Sequence, residues 1–548
     1  MKNHKLIICL TVIILNLFLT DIVFSQPQAQ WVQRYNSPGN YNDYIWDMAI
    51  DKSGSVYLTG YILIGEGNND IVTMKYNSSG VQQWVSYYDG PDHRTDKPSG
   101  VAVDDSGNVY VAGLSYSYST FDDYLIIKYS SNGDSLWVRR FNGAANGSDV
   151  ASSMTLDKFG DVYVTGYGRI TTTSADILTL KYNSEGNLEW FRSYDGPLHG
   201  FDNALHITYD KYNNIFVSGR SFGGSENVGV ILRYDISGNQ TVFAKDTQFF
   251  GNKFLIDSSH NLFLGFDAYG GITTRSDIAI AKLDSMGTLS WIRTYHNNSL
   301  NNNDYFREMC LDNSGNIIVT GVSANTGQQG WDIATIKYNS NGDTSWIRRY
   351  NPPSTTNSND ESFDIASDKF GNVYVTGTSD SGFIARMITI KYSSNGTRAW
   401  IAYYNNSNPF NWHSGAKILT DTSGNIYVTG RSLGNGTGVD IVTIKYSTLT
   451  NYQNSATSLP IEFKLYQNYP NPFNPKTTIS YELPVMSEVS IKISTILGGE
   501  IVTLVNENQN AGLHKVEFGG SDLPSGIYFY TLFVDGLIID AKKLILLK

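Results

Sequence analysis

Cysteine is nearly missing. The 548 residues hold two, Cys9 and Cys310, and the first lies in a segment expected to be cleaved. The mature chain is therefore expected to form no internal disulfide, and its stability must come from packing. Cys310 sits in an apolar strand, which suits a buried side chain better than a nucleophile. Histidine is also scarce, with eight in all, and no two have the i, i+4 spacing of a helical metal site. There is no Gly-x-Ser-x-Gly elbow and no phosphate-cradling glycine loop. Charged residues make up only 17% of the chain and the net charge is −11. That balance argues against a nucleic-acid partner or an anionic membrane surface. No stretch holds a 3.6-residue apolar period across three turns, so helical architectures are excluded.

What is present points to strands. Hydrophobic content is 41%, aromatics reach 13% and there are 51 glycines, an all-β composition. At the amino terminus Lys2 and Lys5 precede an apolar run from Leu6 to Leu19, followed by Val23-Phe24-Ser25. Residues 1–25 read as a secretory signal peptide with cleavage after Ser25. No later run reaches the roughly 18–20 apolar residues of a membrane-spanning helix, so no transmembrane segment is expected after cleavage.

Residues 26–446 repeat one unit eight times, anchored on Asp51, Asp104, Asp157, Asp210, Asp257, Asp312, Asp368 and Asp421. Gly follows three residues later in six copies, with Asn213 and His260 in the others, which marks a tight turn between two apolar runs. A third strand ends in a basic residue, as at Lys75, Lys128 and Lys181. A fourth carries Trp, four residues beyond a glycine, in Gly80/Trp84, Gly133/Trp137, Gly186/Trp190, Gly287/Trp291, Gly342/Trp346 and Gly396/Trp400. Four short strands at a period near 50 are the mark of a propeller blade. Trp31–Tyr35 is a fourth strand with no unit before it, and the last unit stops after its third strand at Tyr446. The expected fold is an eight-bladed β-propeller, with seven blades the alternative, closed by residues 31–35 completing the blade of residues 415–446. Residues 447–458 form a polar linker. Residues 459–548, with clustered prolines and short alternating strands, suggest a small immunoglobulin-like sandwich.

Two resemblances follow from quoted residues. The tail, with Leu465-Tyr-Gln-Asn-Tyr-Pro-Asn-Pro-Phe-Asn-Pro475, Leu523-Pro-Ser-Gly-Ile-Tyr-Phe-Tyr530 and Lys542-Lys-Leu-Ile-Leu-Leu-Lys548, resembles the type A C-terminal sorting domain of the type IX secretion system. That resemblance implies export through the outer membrane by the type IX machinery, with the cargo released or attached at the cell surface. The array, in copies such as Asp368-Lys-Phe-Gly-Asn-Val-Tyr-Val-Thr-Gly377, resembles the bacterial β-propeller repeat family often called seven-bladed. It supplies no catalytic residues. The Gly/Trp spacing is similar to the tryptophan-docking repeat of quinoprotein dehydrogenases, where Trp packs on a neighbouring blade. The adjacent cysteine pair and quinone site of that family are not seen here.

Repeated residues should hold up the ring, and function should lie where copies differ. Asp43, Asp96, Asp149, Asp202, Asp304 and Asp360 recur eight residues before the anchor, with Phe249 and His413 in the other copies. Asp70, Asp123, Asp176, Asp277, Asp332 and Asp440 recur before the third-strand terminus. Bonding of loop backbone is their expected role, and a calcium site is the alternative. No other cofactor is expected. The variable connections, strand two to three and strand four to the next one, share one face. Tyr44, Trp46, His93, Tyr116, Tyr118, His199, Phe222, Tyr269, Trp331, Phe410, Trp412 and His413 fall there. These are the candidate contacts for a glycan or protein partner. His93 and His199 lie in matching Tyr-Asp-Gly-Pro-x-His loops and should share a turn geometry. A structural or adhesive envelope role without a small ligand is one alternative. A glycan-cleaving hydrolase or lyase is the other, and would need acids from different blades to converge.

Overall fold

The computed structural model describes residues 27–65, 68–170, 174–223, 226–246, 253–268, 276–297, 303–324, 330–352, 359–380, 385–404, 412–434, 436–447, 463–483, 487–496, 498–509, 512–534 and 537–548. Among these residues every regular element is a strand. Contacts divide the chain into two units, Pro27–Asn454 and Ser455–Lys548. The expected signal peptide and residues 448–458 of the expected linker lie outside the described residues.

The first unit holds eight four-stranded antiparallel sheets. Seven are built from consecutive strands, over residues 42–88, 96–141, 150–194, 202–246, 253–295, 304–350 and 360–404. In the eighth, His413–Thr420, Ile426–Leu433 and Val439–Tyr446 take Ala29–Tyr35 as their fourth strand. Trp31 lies opposite Lys445 and Tyr35 opposite Ile441.

Local chemistry explains the recurring letters. Asp51 Oδ1 accepts the backbone N–H groups of Ser53 and Ser55 at 2.9 Å each, and Gly54 closes the turn at φ 79°. Tyr57 then donates its hydroxyl to Asp51 Oδ2 at 2.9 Å. In seven sheets the first strand carries an extra residue opposite the second-strand glycine. In the third sheet the pairing skips Ser152, between Ala151 opposite Gly166 and Ser153 opposite Thr165. A Cβ on Gly166 would sit on the Val150 carbonyl oxygen. The Val-x-Val-Thr-Gly motif is therefore a bulge requirement, where only glycine admits the close backbone approach.

The tryptophans join sheets, as the docking resemblance implies, and each reaches the next sheet. Trp84 Nε1 donates to the Ser131 carbonyl at 3.0 Å, and Trp137 Nε1 to that of Ser184 at 3.2 Å. The ring of Trp84 lies over Gly133, where a Cβ would come within 2.7 Å of it. In the fourth sheet, which lacks the Trp, Phe243 covers Gly287. The third-strand lysines reach the same carbonyls: Lys128 to Ser184 at 2.8 Å and Lys445 to Ser78 at 3.0 Å. Trp31 obeys the rule across the chain ends, donating to Ser78 O at 3.2 Å and covering Gly80. The first and eighth sheets share one apolar cluster, which includes Tyr35, Ile45, Met48, Tyr427 and Ile441.

The residue after each bulge is polar in most sheets: Asp47, Ser153, His206, Glu308, Asp364 and Lys417, with Lys253 at the same register in the fifth. These groups stitch neighbours together. Asp47 Oδ2 accepts Val101 N–H at 3.0 Å and Asp364 Oδ2 accepts Ile418 N–H at 2.8 Å. Lys253 pairs with Glu308 at 3.1 Å, and Lys417 with Asp47 at 3.7 Å. Burial holds His206 uncharged, helped by Lys253 and by Lys417. Lys417 belongs to the eighth sheet and His206 to the fourth, so titratable groups on the first strands of these two sheets act on one another.

The second unit has a three-stranded sheet (Lys464–Leu465, Lys476–Leu483, Gly512–Gly519). Its other sheet is four-stranded (Glu500–Gln509, Ser487–Thr495, Gly526–Val534, Leu537–Leu546). Ile479, Tyr481, Ile491, Tyr530 and Leu544 lie in one core shared by both sheets. The proline-rich motif and the Gly-Ile-Tyr-Phe-Tyr strand hold each other. Tyr530 OH donates to Tyr466 O at 2.6 Å and accepts Asn468 N–H at 2.8 Å.

Candidate functional site

Because successive strands are antiparallel, the Asp and Gly turns lie at one end of every sheet. The two longer connections lie at the other. The candidate residues fall into several separate clusters on that longer-loop end.

In the first cluster, Tyr44 stacks on Tyr61 with centroids 5.0 Å apart. Arg431 of the eighth sheet lies 5.1 Å from the Tyr44 ring and Lys97 of the second lies 5.3 Å from that of Tyr61. Trp46 is the bulge residue of the first sheet and is 45% exposed. In the second cluster, Tyr116 meets Tyr118 at 6.0 Å and Phe121 at 6.4 Å, both edge-on. Arg94 Nε donates to Tyr118 OH at 2.6 Å. Tyr118 N–H is held by Asp92 at 2.8 Å, and its ring is 61% exposed. In the third, Phe222 packs on Phe201, which in turn meets Tyr167 at 5.2 Å. Trp331 faces Tyr305 at 5.5 Å, and Trp412 is exposed and bridges to Ala385. Tyr269 and Phe410 lie outside the described residues. Arg94, Phe121, Phe201 and Arg431 were not among the sequence-predicted residues. Arg94 directly follows His93, and Phe201 lies two residues beyond His199.

His93 and His199 adopt one geometry, with φ of 51° and 52° and each N–H donated to a glycine carbonyl at 3.0 Å. Their Nδ1 atoms meet Asp89 and Asp195 at 2.5 and 2.6 Å. Those bonds raise both imidazoles above the ordinary histidine range.

His413 needs correction as a surface contact. It is fully buried, its Nδ1 is 2.8 Å from Ser432 Oγ, and Tyr404 packs edge-on against it. It occupies the place of the recurrent first-strand aspartate. Burial, aided by Arg34, pulls its pKa down to about 4. The unfolded ring titrates near 6.5, so below that pH the unfolded chain takes up a proton the folded one refuses. The stability this group contributes is complete above pH 6.5 and is lost as pH falls toward 4. Relative to His413→Gln, the wild type should lose about 2–3 kcal/mol between pH 7 and 4.5. Urea unfolding at both pH values checks this, and parallel pH profiles would contradict it.

The first-strand aspartates act as expected, clamping the loop that enters each sheet. Asp43 accepts Ser37 N–H at 2.8 Å, Asp96 that of Gly90 at 2.6 Å, and Asp202 that of Gly196 at 2.6 Å. Burial pushes Asp43, Asp96 and Asp149 up to about 6. Carboxylates of neighbouring sheets do converge, with one oxygen each of Asp70, Asp89 and Asp96 within 4.8 Å of one another, and likewise Asp176, Asp195 and Asp202. Asp96 and Asp202 are fully buried and engaged by backbone, which suits them poorly to exchange protons with a substrate. Cys310 is half-buried in the chain as a whole, and burial raises its thiol well above the usual range.

Residues 467–546 match the family described as a secretion system C-terminal sorting domain. Residues 83–119, 136–170 and 346–384 match the family described as a beta-propeller repeat. The chain thus joins propeller repeats to a type IX sorting domain, and it is delivered by that route to the cell exterior or surface. The sorting domain implies contact with the secretion machinery. Among the described residues no helix is long and apolar enough to cross a membrane. No curated protein matches the chain.

Among solved structures, a polysaccharide lyase of family PL25, an ulvan lyase, is similar at 11% identity and a TM-score of 0.39. That likeness spans 75% of this chain and 95% of that one. The β-propeller domain of the Trilobed protease from Pyrococcus furiosus, described as having an open velcro topology, is similar at 7% identity and a TM-score of 0.34. It spans 64% of this chain and 95% of that one. A protein of unknown function from Dyadobacter fermentans is similar at 7% identity and a TM-score of 0.33, over 76% and 98%.

Proposed function

We propose that this chain is a secreted or surface-held recognition propeller that binds a glycan or protein partner through its longer-loop face. The eight sheets are eight blades of one ring closed by Ala29–Tyr35, and the tail is an immunoglobulin-like sandwich that serves export. The observation that carries the reading is the exposed aromatic set on that face, Trp46, Tyr118, Phe121 and Trp412, with a guanidinium lying against Tyr118. These residues lie where the copies differ, so the ring does not need them. Large rings with a polar edge beside a cation suit sugar faces and protein hot spots.

The test is binding of the labelled chain to an array of bacterial and algal polysaccharides, with pull-down of surface proteins in parallel. Tyr118→Ala combined with Trp46→Ala should weaken the retained partner by at least about tenfold and leave the melting temperature unchanged. Retention that survives this double change, or no retention at millimolar sugar and in the pull-down, would remove the reading.

A further inference from the structure

The third-strand aspartates divide into two kinds. In the second, sixth and eighth sheets a fourth-strand arginine neutralises them: Arg140 pairs with Asp123 at 2.7 Å, Arg349 with Asp332 at 2.7 Å, and Arg34 with Asp440. These arginines lie opposite Leu125, Ala334 and Val442 in the strand register. In the first, third and fifth sheets the corresponding positions, opposite Val72, Leu178 and Ala279, are Tyr87, Ser193 and Thr294. Among the described residues, no arginine or lysine pairs with Asp70 or Asp176.

Negative charge is added in the first and third sheets, whereas in the fifth sheet His296 acts on Asp277. The Asp-Gly-Pro-x-His loop brings Asp89 to Asp70, and Asp195 to Asp176. The first strand of the following sheet brings Asp96 and Asp202. In each group three carboxylate oxygens lie within 4.8 Å of one another. Asp176 is 3% exposed, makes no hydrogen bond among the described residues, and its Oδ1 is buried without a partner. Oδ1 of Asp70 and of Asp96 are likewise buried and unpartnered. A buried carboxylate beside two others is either neutralised by a proton or held charged by a cation. His93 and His199 are the nearest cationic groups, but both side chains are about three-quarters exposed and each directs Nδ1 to the loop aspartate.

We infer that the seam between the first and second sheets and that between the third and fourth each bind one calcium ion, through Asp70, Asp89 and Asp96 and through Asp176, Asp195 and Asp202. Calcium takes oxygen ligands at about 2.3–2.6 Å in flexible geometry, so two oxygens on one ion stand up to about 5 Å apart. The observed spacing fits that span. All six donors are carboxylates, which selects a hard ion over zinc or copper. Asp89 and Asp195 are about a third exposed, which leaves room for water to complete the shell. The ions do in these two sheets what arginine does in three others, and the inference is independent of what the longer-loop face recognises.

The experiment is calorimetric titration of calcium chloride into the chelator-treated full chain, with melting followed in parallel. Two ions per chain should bind, at a Kd of about 0.1–1 mM or tighter, the range of extracellular calcium modules, and the melting temperature should rise. Asp70→Asn and Asp176→Asn should each remove one ion, and the double variant both. Tyr87→Arg and Ser193→Arg install the cation used elsewhere. Each should also abolish one site while holding the melting temperature in chelator at or above that of the wild type. These arginine variants keep the test decisive should the Asn variants fold poorly. No calcium uptake up to about 10 mM, or a stoichiometry unchanged in every variant, would overturn the assignment.

Discussion

Deleting residues 26–36 should lower the melting temperature of the unit Pro27–Asn454 by about 10 °C. The deletion strips the eighth sheet of its fourth strand and leaves Val439–Tyr446 as a bare edge. It also removes Trp31 from Gly80 and Ser78, and Tyr35 from the apolar cluster shared with the first sheet. Truncating a large buried aromatic costs about 3–5 kcal/mol; Tyr35 is buried and Trp31 half-buried, so these two side chains account for roughly 5–8 kcal/mol. Arg34 is lost too, and Asp440, 1% exposed on its side chain, is stranded without its ion pair. Unfolding entropy near 2.1 cal/mol/K per residue over this unit converts that loss to a shift of about 10 °C. Differential scanning calorimetry of the full chain reads it, and an unchanged melting curve would mean the sheet does not need its amino-terminal strand. The exposed edge should in addition promote self-association, visible by light scattering.

The second large effect is expected at Gly166. A Cβ there would overlap the Val150 carbonyl oxygen, with Tyr124 Oη at 2.8 Å and Ser152 N at 2.9 Å. Two of these three neighbours are backbone atoms in a bulge, so no side-chain rotation relieves the clash. Gly166→Ala should therefore cost at least about 3 kcal/mol. Gly315 is the useful contrast. It has a φ of 73° and no atom within 4 Å of an added Cβ, so Gly315→Ala should cost only about 1 kcal/mol, from backbone strain. Urea unfolding of both variants checks the difference, and equal losses would contradict a steric origin for the Val-x-Val-Thr-Gly motif.

Much of this architecture was legible in the sequence because each copy carries the same turn and strand signals. The Asp-x-x-Gly turns, the eight units and the stray strand at Trp31 follow from spacing alone. The partner of each tryptophan did not. Gly80 and Trp84 are neighbours in the sequence, yet Gly80 is covered by Trp31 and Trp84 covers Gly133, because the contact is made between sheets. The collar of Asp47, His206, Lys253, Glu308, Asp364 and Lys417 was also hidden. Its members lie four residues before each anchor aspartate but vary in type among Asp, Glu, His and Lys, so no single residue marks the position. His413 was readable both as a loop residue and as the eighth member of the buried aspartate series. The series is the better guide, since a position buried in six copies is buried in the seventh. The two acidic seams were half legible: Asp70, Asp96, Asp176 and Asp202 stood in the repeated series with calcium as the alternative, but Asp89 and Asp195, and the missing arginine at Tyr87 and Ser193, were not singled out.

The most direct test of the closed ring is a cross-link between its ends. Gln33 and Thr443 are register partners, and Cys310, the one cysteine after residue 25, is half-buried with its thiol pKa raised by burial. In a chain carrying Gln33→Cys and Thr443→Cys, air oxidation should join the two introduced thiols nearly completely, shift the denatured chain on a non-reducing gel and raise the melting temperature. Both introduced thiols remaining free beside Cys310 after oxidation, with unaltered mobility and melting, would show that the amino-terminal strand does not lie beside Val439–Tyr446.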